Sequence, residues 1–136
     1  ILQLEFDDQM QHVILGNNVR LKQMLINILK NAIQATENSG TITIQLFVTT
    51  KDVQIYVQDK GIGMDEETRK NLFSPFFTTK EQGTGLGLPL VKKVVDDFNG
   101  TIEVESELNV GTTFILTFPN ALTKQPITQS MNLLLG

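Results

Sequence analysis

The apolar residues of this chain predict two long helices. Between Asn18 and about Glu37 they recur at steps of three and one, which places them on one side of a helix. These residues are Leu21, Met24, Leu25, Ile28, Leu29, Ala32 and Ile33. A second stripe runs from Leu88 to Phe98, and residues 99–100, Asn-Gly, are typical of a helix end. We therefore predict two amphipathic helices that each bury one face.

Alternation of apolar and polar residues predicts the strands. It is clearest in two pairs of segments, residues 42–48 with 53–57 and residues 102–104 with 114–118, and each pair is joined by a turn. Each pair has the pattern of an antiparallel hairpin with one covered face. Shorter patterns at residues 2–6 and 13–15 predict further strands, and acids followed by bases predict a short helix from Asp65.

Composition narrows the class of protein. The chain has 136 residues, no cysteine and a formal net charge of −4. This length suits one domain with a core, and the absence of cysteine excludes disulfides and thiolate metal sites. The acidic balance argues against a nucleic-acid binder, and no apolar run approaches the roughly 20 residues of a membrane span. We therefore expect a soluble domain. Because the chain begins with Ile1 and not with Met, we also expect it to be a piece of a longer protein.

One polar face of the first predicted helix carries amides. Asn27, Lys30, Asn31 and Gln34 fall together, opposite the apolar stripe, when residues are placed about 100° apart. Asparagine is a poorer helix former than Glu, Lys or Gln, so two of them one turn apart indicate that their oxygens are used. A hard cation such as Mg²⁺ takes oxygen ligands. An ordinary solvated face explains the pattern equally well.

Two polar residues fall on inward-facing positions of the predicted hairpins. Asp59 shares the parity of the apolar residues at 53–57, and Thr112 shares that of Phe114. A buried carboxylate needs hydrogen-bond donors, and the glycine-rich residues 61–63 leave room for an adenine amino group to donate. The alternative is that Asp59 only caps a turn ahead of these glycines.

A segment without a sustained period, SPFFTTKEQGTG, precedes the second helix. It is typical of a functional loop, and Lys80 within it can act as a point charge on a phosphate. Three glycines at every second position, Gly83, Gly85 and Gly87, lead into the helix. A helix N-terminus is a natural seat for an anion, although such glycines also serve as plain turns or packing positions.

Five short blocks stand in one order along the chain. They are NILKN (residues 27–31), DKGIGM (59–64), PFFTTK (75–80), GTGLGL (83–88) and GTTF (111–114). In this order the chain resembles the catalytic ATP-binding domain of sensor histidine kinases, within the superfamily that includes Hsp90, DNA gyrase and MutL. The resemblance covers roughly residues 2–119, and the run around the third and fourth blocks looks most like kinases of the nitrogen-regulation and sporulation type.

The resemblance implies an α+β fold of the Bergerat type. This is a two-layer α/β sandwich, in which a mixed, mostly antiparallel sheet carries three helices on one face and ATP lies beneath a lid loop. Residues 1–119 would form this domain and residues 120–136 a tail of unpredicted structure. The resemblance also implies the site residues. Asn31 would bind Mg²⁺, with Asn27 and Lys30 near the phosphates, and Asp59 would bind the adenine amino group, with Thr112 in its hydrogen-bond network. The residues around the base would be Gly61, Ile62, Gly63 and Met64; those in the lid Phe76, Phe77 and Lys80; and those beside the phosphates Gly83, Thr84, Gly85, Leu86, Gly87 and Leu88.

The resemblance leaves a choice between a kinase and a hydrolase. ATPase members of the superfamily carry a glutamate one turn before the magnesium asparagine, and Asn27 holds that place here. An amide is no useful base near pH 7, so fast hydrolysis lacks its proton acceptor, whereas a kinase receives the nucleophile from its substrate. We assign the catalytic roles to Asn27, Asn31 and Lys80.

The resemblance also implies partners. The phosphoacceptor would be a histidine in an upstream dimerisation domain of the same sensor kinase, because His12 precedes valine and lacks the following acid of such sites. The phosphoryl group would then pass to a response regulator. We expect a homodimeric parent, a monomeric isolated domain and a cytoplasmic location, free or as part of a membrane-anchored sensor. A stand-alone ATPase, a serine kinase of the anti-sigma-factor type and a degenerate interaction module are the alternatives.

Overall fold

A computed structural model describes residues 4–6, 18–36, 40–75, 87–120 and 133–135. Within these residues the chain forms six strands and three helices. The strands are β1 (Leu4–Phe6), β2 (Ile42–Val48), β3 (Asp52–Asp59), β4 (Thr101–Glu107), β5 (Gly111–Pro119) and β6 (Leu133–Leu135), and the helices are α1 (Asn18–Ala35), α2 (Glu66–Lys70) and α3 (Gly87–Asp97). The predicted strand at residues 13–15 lies outside the described residues, as does His12.

Four of the strands form one antiparallel sheet in the order β2-β3-β5-β4. Both predicted hairpins are present, and the β3–β5 pairing joins them, with Ile55 opposite Leu116. A second, two-stranded sheet pairs β1 with β6 in antiparallel fashion. The residue pattern after Pro119 predicts no element, so β6 is visible only in the structure.

The core lies between one face of the large sheet and the two long helices. Strand residues Val53, Ile55, Val57, Phe114, Leu116 and Phe118 pack with Leu21, Met24, Leu25, Ile28, Leu29 and Ala32 of α1 and with Val91, Val95 and Phe98. All of them are at most 8% exposed. Complete burial of a Leu or Ile side chain contributes about 1.5–3 kcal/mol, so this face explains why α1 is stable. The predicted α+β arrangement is confirmed.

One residue of the predicted apolar stripe is not in the core. Ile33 is 46% exposed, although its spacing continues the series that ends at Ala32. The helix ends at Ala35, and its last turn meets the loop after β3 through the Ala35 carbonyl, which accepts the Ile62 N–H at 3.0 Å. Spacing alone does not show where the helix leaves the sheet.

The two long helices are joined at one end. The Arg20 guanidinium lies 2.7 Å from the Asp97 carboxylate and 5.4 Å from the centre of the Phe98 ring. Because α1 and α3 pack against each other, joining the start of α1 to the end of α3 makes them antiparallel neighbours. The first turn of α3, at Gly87, therefore faces the second half of α1, which carries Asn27 and Asn31.

Candidate functional site

A buried carboxylate lies at the end of β3. Asp59 is 3% exposed and stands directly opposite Thr112 of β5, which is 5% exposed. One carboxylate oxygen, Oδ1, accepts the Gly61 N–H at 2.9 Å. The alternative role of Asp59, capping of the turn, is therefore present. It uses one oxygen only, and the described part of the chain offers Asp59 no second donor.

The loop after Asp59 is fixed at three points by backbone groups. The Ile62 N–H donates to Ala35 of α1 at 3.0 Å, and the Ile62 carbonyl accepts the Asn109 N–H of the β4–β5 turn at 2.7 Å. The Met64 N–H donates to the Ser106 hydroxyl at 2.8 Å. These bonds connect the helix layer to the sheet around Asp59, so the loop has a defined position.

Glycine is required at two positions of this loop because other backbone lies against it. A Cβ on Gly61 would overlap the Ala35 carbonyl, and a Cβ on Gly63 would overlap the Glu107 carbonyl. Gly63 also has a φ of 67°, in the left-handed region that side chains disfavour. The Ile62 side chain, which the resemblance places near the base, is 60% exposed.

Ser106 is a site residue that sequence reasoning missed. Its hydroxyl lies 2.8 Å from the Thr112 hydroxyl and 3.1 Å from the Gly111 carbonyl, in addition to its bond with Met64. A signal was available, because Ser106 shares the inward parity of Ile102 and Val104, just as Asp59 and Thr112 share the parity of their strands. Three neighbouring strands thus each carry an inward polar residue at the same end of the sheet.

The amide face of α1 is exposed to different degrees along its length. Asn27 and Asn31 are half-buried, whereas Lys30 and Gln34 are exposed. The Gln23 amide donates to the Asn27 oxygen at 3.4 Å. Asn31 lies one turn before Ala35, the residue that contacts the Asp59 loop. The structure therefore places the predicted magnesium and adenine groups at the same end of the domain.

Part of the predicted site falls outside the described residues. This part comprises Phe76, Phe77, Lys80, Gly83, Thr84, Gly85 and Leu86. Gly87 and Leu88 open α3, and Leu88 packs against the core. No described atom lies within 4 Å of a Cβ placed on Gly87, so the start of this helix is not filled by other described residues.

The donor set decides which metal chemistry the described residues fit. They contain no group of three or more His, Cys, Asp or Glu side chains placed so that it could hold a metal ion. Amide oxygens of Asn27 and Asn31 suit a hard cation that keeps water and phosphate oxygens as its remaining ligands, which is the usual behaviour of Mg²⁺. The residues therefore fit Mg²⁺ bound together with a phosphate group rather than a cation held by protein alone.

A family model described as histidine kinase-, DNA gyrase B-, and HSP90-like ATPase matches residues 16–122. The chain belongs to this family. Sporulation kinase E of Bacillus subtilis strain 168 is 44% identical over 119 residues, which is 87% of this chain and 16% of that protein. The chain thus spans about a sixth of the length of this relative.

Solved structures of the same family share the fold. The catalytic domain of histidine kinase ThkA is 40% identical with a TM-score of 0.70, over 81% of this chain and 72% of that one. Full-length ShkA in complex with AMPPNP is 32% identical with a TM-score of 0.71, over 79% of this chain and 23% of that one. Among the described residues of the present chain, no helix is both long and apolar enough to cross a membrane.

Proposed function

We propose that this chain is the catalytic and ATP-binding domain of a sensor histidine kinase. It binds ATP with Mg²⁺ and transfers the γ-phosphoryl group to a histidine on a separate dimerisation and phosphoacceptor domain of the same protein. A response regulator then receives the phosphoryl group. The parent protein is a homodimer with this domain in the cytoplasm, free or beneath a membrane anchor. Residues 1–119 form the domain and residues 120–136 a tail.

The observation that carries this proposal is the state of Asp59. Its carboxylate is almost fully buried, yet within the described residues only the Gly61 N–H donates to it. A buried carboxylate with an unused oxygen is costly unless a ligand supplies a donor. The adenine amino group has two N–H donors and fits this requirement, with Gly63, Met64 and Thr112 around the base and Ile62 at its rim.

The phosphates belong at the amide face of α1 and the start of α3. Asn31 holds Mg²⁺, which neutralises phosphate charge when it is bound, while Asn27 and Lys30 lie near the phosphate chain. Gly87 and Leu88 open a helix whose N–H groups favour an anion. Phe76, Phe77 and Lys80 act as the lid, and residues 83–86 give the phosphates access. The complex of the related ShkA with AMPPNP supports this assignment, because AMPPNP carries the adenosine and the phosphate chain length of ATP.

Transfer to a partner is favoured over hydrolysis by the residue at position 27. The Asn27 amide already accepts a hydrogen bond from Gln23 at 3.4 Å, and an amide does not take a proton from water near pH 7. The chain can therefore position a phosphoryl group for an incoming histidine but lacks, at this position, a base that activates water.

The test compares ATP binding by the wild type and by Asp59→Asn, with and without Mg²⁺, using calorimetry. The substitution turns one acceptor into an NH₂ group that faces the adenine amino group, so we expect the affinity to fall at least about tenfold. Asp52→Asn, the same change at the other end of β3, should leave affinity unchanged. No binding by the wild type, or equal binding by wild type and Asp59→Asn, rejects the adenine assignment.

A second measurement separates the kinase from its alternatives. The chain alone should show ATP turnover close to background, and addition of the upstream histidine domain should yield an acid-labile phosphohistidine on that domain. Steady turnover without a partner would instead indicate an ATPase, and an acid-stable phosphoserine on a partner would indicate a serine kinase.

A further inference from the structure

The Ser106 hydroxyl is at the centre of a hydrogen-bond network with three partners. It accepts the Met64 N–H at 2.8 Å and lies 3.1 Å from the Gly111 carbonyl and 2.8 Å from the Thr112 hydroxyl. A carbonyl oxygen can only accept, so the bond to Gly111 uses the single hydrogen of Ser106. Thr112 must then donate its own hydrogen to Ser106 for the third contact to be a hydrogen bond.

This assignment determines what Thr112 presents to its surroundings. Once its hydrogen is directed to Ser106, the Thr112 oxygen has only lone pairs left. Its neighbour across the strands is Asp59, and directly opposed side chains of an antiparallel pair lie about 4.5–5.5 Å apart at Cβ. The two side chains make no hydrogen bond with each other, as expected for two acceptors.

The result is a buried wall that accepts and does not donate. Asp59 and Thr112 are 3% and 5% exposed, and neither has a further described donor for its remaining lone pairs. Ser106 would otherwise be an incidental strand residue. Because Ser106 donates its only hydrogen to the Gly111 carbonyl, it can only accept from Thr112. The Thr112 hydrogen therefore stays directed at Ser106 and is not offered to a ligand.

We propose that Ser106 is a specificity-determining positioning residue. Because Ser106 accepts the hydrogen bond of the Thr112 hydroxyl, Asp59 and Thr112 can offer only acceptors to a ligand. They therefore select a purine that carries an amino group at position 6 over one that carries an oxo group. An amino group offers two N–H donors, whereas an oxo group brings a third set of lone pairs to the wall. This inference rests on the proposed function and names the group that distinguishes the nucleotides.

The experiment measures the affinities of ATP and inosine triphosphate for the chain and its variants. The two bases differ at position 6 and therefore also at the neighbouring N1, which accepts in adenine and carries a hydrogen in inosine. The wild type should favour ATP at least about tenfold, since a site built for a hydrogen-bond donor rejects an analogue that lacks it. In Ser106→Ala the Thr112 hydroxyl can rotate and donate to the oxo group, so the ratio should fall at least about fivefold. Ser106→Thr keeps a hydroxyl and should keep the ratio.

The ratio of the ATP affinity to the inosine triphosphate affinity separates a positioning role of Ser106 from a merely structural one. Ser106→Ala also frees the Met64 N–H, and a loosened loop would weaken both nucleotides equally without changing the ratio. An unchanged ratio in Ser106→Ala therefore rejects the proposal. Thr101→Ala, an exposed change at the other end of β4, is the matched control and should alter neither affinity.

A second variant keeps the proposal testable if Ser106→Ala does not fold. Thr112→Val removes one acceptor and leaves the bonds of Ser106 to Met64 and Gly111 in place. It should weaken ATP more than inosine triphosphate, and equal weakening of both rejects the proposal. A wild type that binds the two nucleotides equally rejects it, and the comparison with Asp59→Asn then decides separately whether Asp59 contacts the base. A wild type that binds neither rejects both.

Discussion

Gly61 lies where the loop after β3 touches the last turn of α1. A Cβ at this position would overlap the Ala35 carbonyl, and the backbone cannot move away without lengthening the bond from Ile62 to that carbonyl. We expect Gly61→Ala to lower the free energy of unfolding by about 1–3 kcal/mol, the usual range for forced overpacking. Urea denaturation measures this, and ATP affinity should fall with it because the loop also bonds Asp59.

Gly87→Ala is the control for this change. No described atom lies near the added carbon, and alanine is the better residue within a helix, so stability should be unchanged or raised by up to about 1 kcal/mol. A similar loss of stability in both variants would show that the contact with Ala35 is not the cause.

The sequence allowed some site residues to be located and not others. The burial of Asp59 and Thr112 followed from strand parity, which is a local property and needs no knowledge of the neighbouring strands. Ser106 shared the same parity but was missed, since a strand serine has no strong preference for either face. Its importance comes from Met64 and Gly111, whose contacts exist only after the strands and the loop have come together.

The short helix α2 depends on an N-cap that titrates. The Asp65 carboxylate accepts the Thr68 N–H at 2.7 Å. Hydrogen bonds from the Thr68 side chain and then from its backbone hold the pKa of Asp65 below its ordinary value of 3.8. Because the folded pKa is lowered, the stabilisation is fully present above the unfolded pKa and is lost as pH falls through the folded pKa.

We therefore expect Asp65→Ala to be less stable than the wild type at pH 7, and the difference to shrink as the pH falls below about 4. Denaturant unfolding at pH 7 and below pH about 4 measures the free energy of unfolding of each protein. Subtracting the value of the variant from that of the wild type removes the effect of other carboxylates. Asp65→Asn keeps a capping oxygen without the charge, so it should lie between the two at pH 7. A difference that stays constant with pH would contradict the assigned cause.

Elements were predicted better than their arrangement. The hairpins β2–β3 and β4–β5 follow from alternation and a short turn, because both partners are close in sequence. The β3–β5 pairing, which brings Asp59 opposite Thr112, joins residues far apart in the chain and depends on the shared core. At the end of α3 the pattern indicated Asn99 and Gly100 together, and the structure gives the left-handed position to Asn99, with a φ of 59°.

At the scale of the whole molecule, the described residues of the site and of the core all precede the last sixteen residues. All described residues of the proposed nucleotide site lie between Asn27 and Thr112, and the large sheet ends at Pro119. Residue 120, which the proposed boundary places in the tail, is nevertheless bonded to this unit. Asn120 is 2% exposed, its amide donates to the Thr49 carbonyl at 2.7 Å, and its N–H donates to the Lys51 carbonyl at 2.9 Å. It therefore fastens the end of β5 to the β2–β3 turn.

Two truncations that differ by one residue test where this unit ends. A chain that stops after Asn120 loses β6, the described partner of β1, but it should bind ATP within about twofold of the full chain because none of the described contacts of the site involves residues 121–136. A chain that stops after Pro119 also loses the Asn120 bonds, and at about 1 kcal/mol for a hydrogen bond its free energy of unfolding should be lower by roughly 1–2 kcal/mol. Calorimetric ATP binding and urea denaturation measure the two effects.

If the two truncations are equally stable, the Asn120 bonds do not hold the sheet end. If the longer truncated chain no longer binds ATP, residues 121–136 belong to the nucleotide-binding unit and not to a tail.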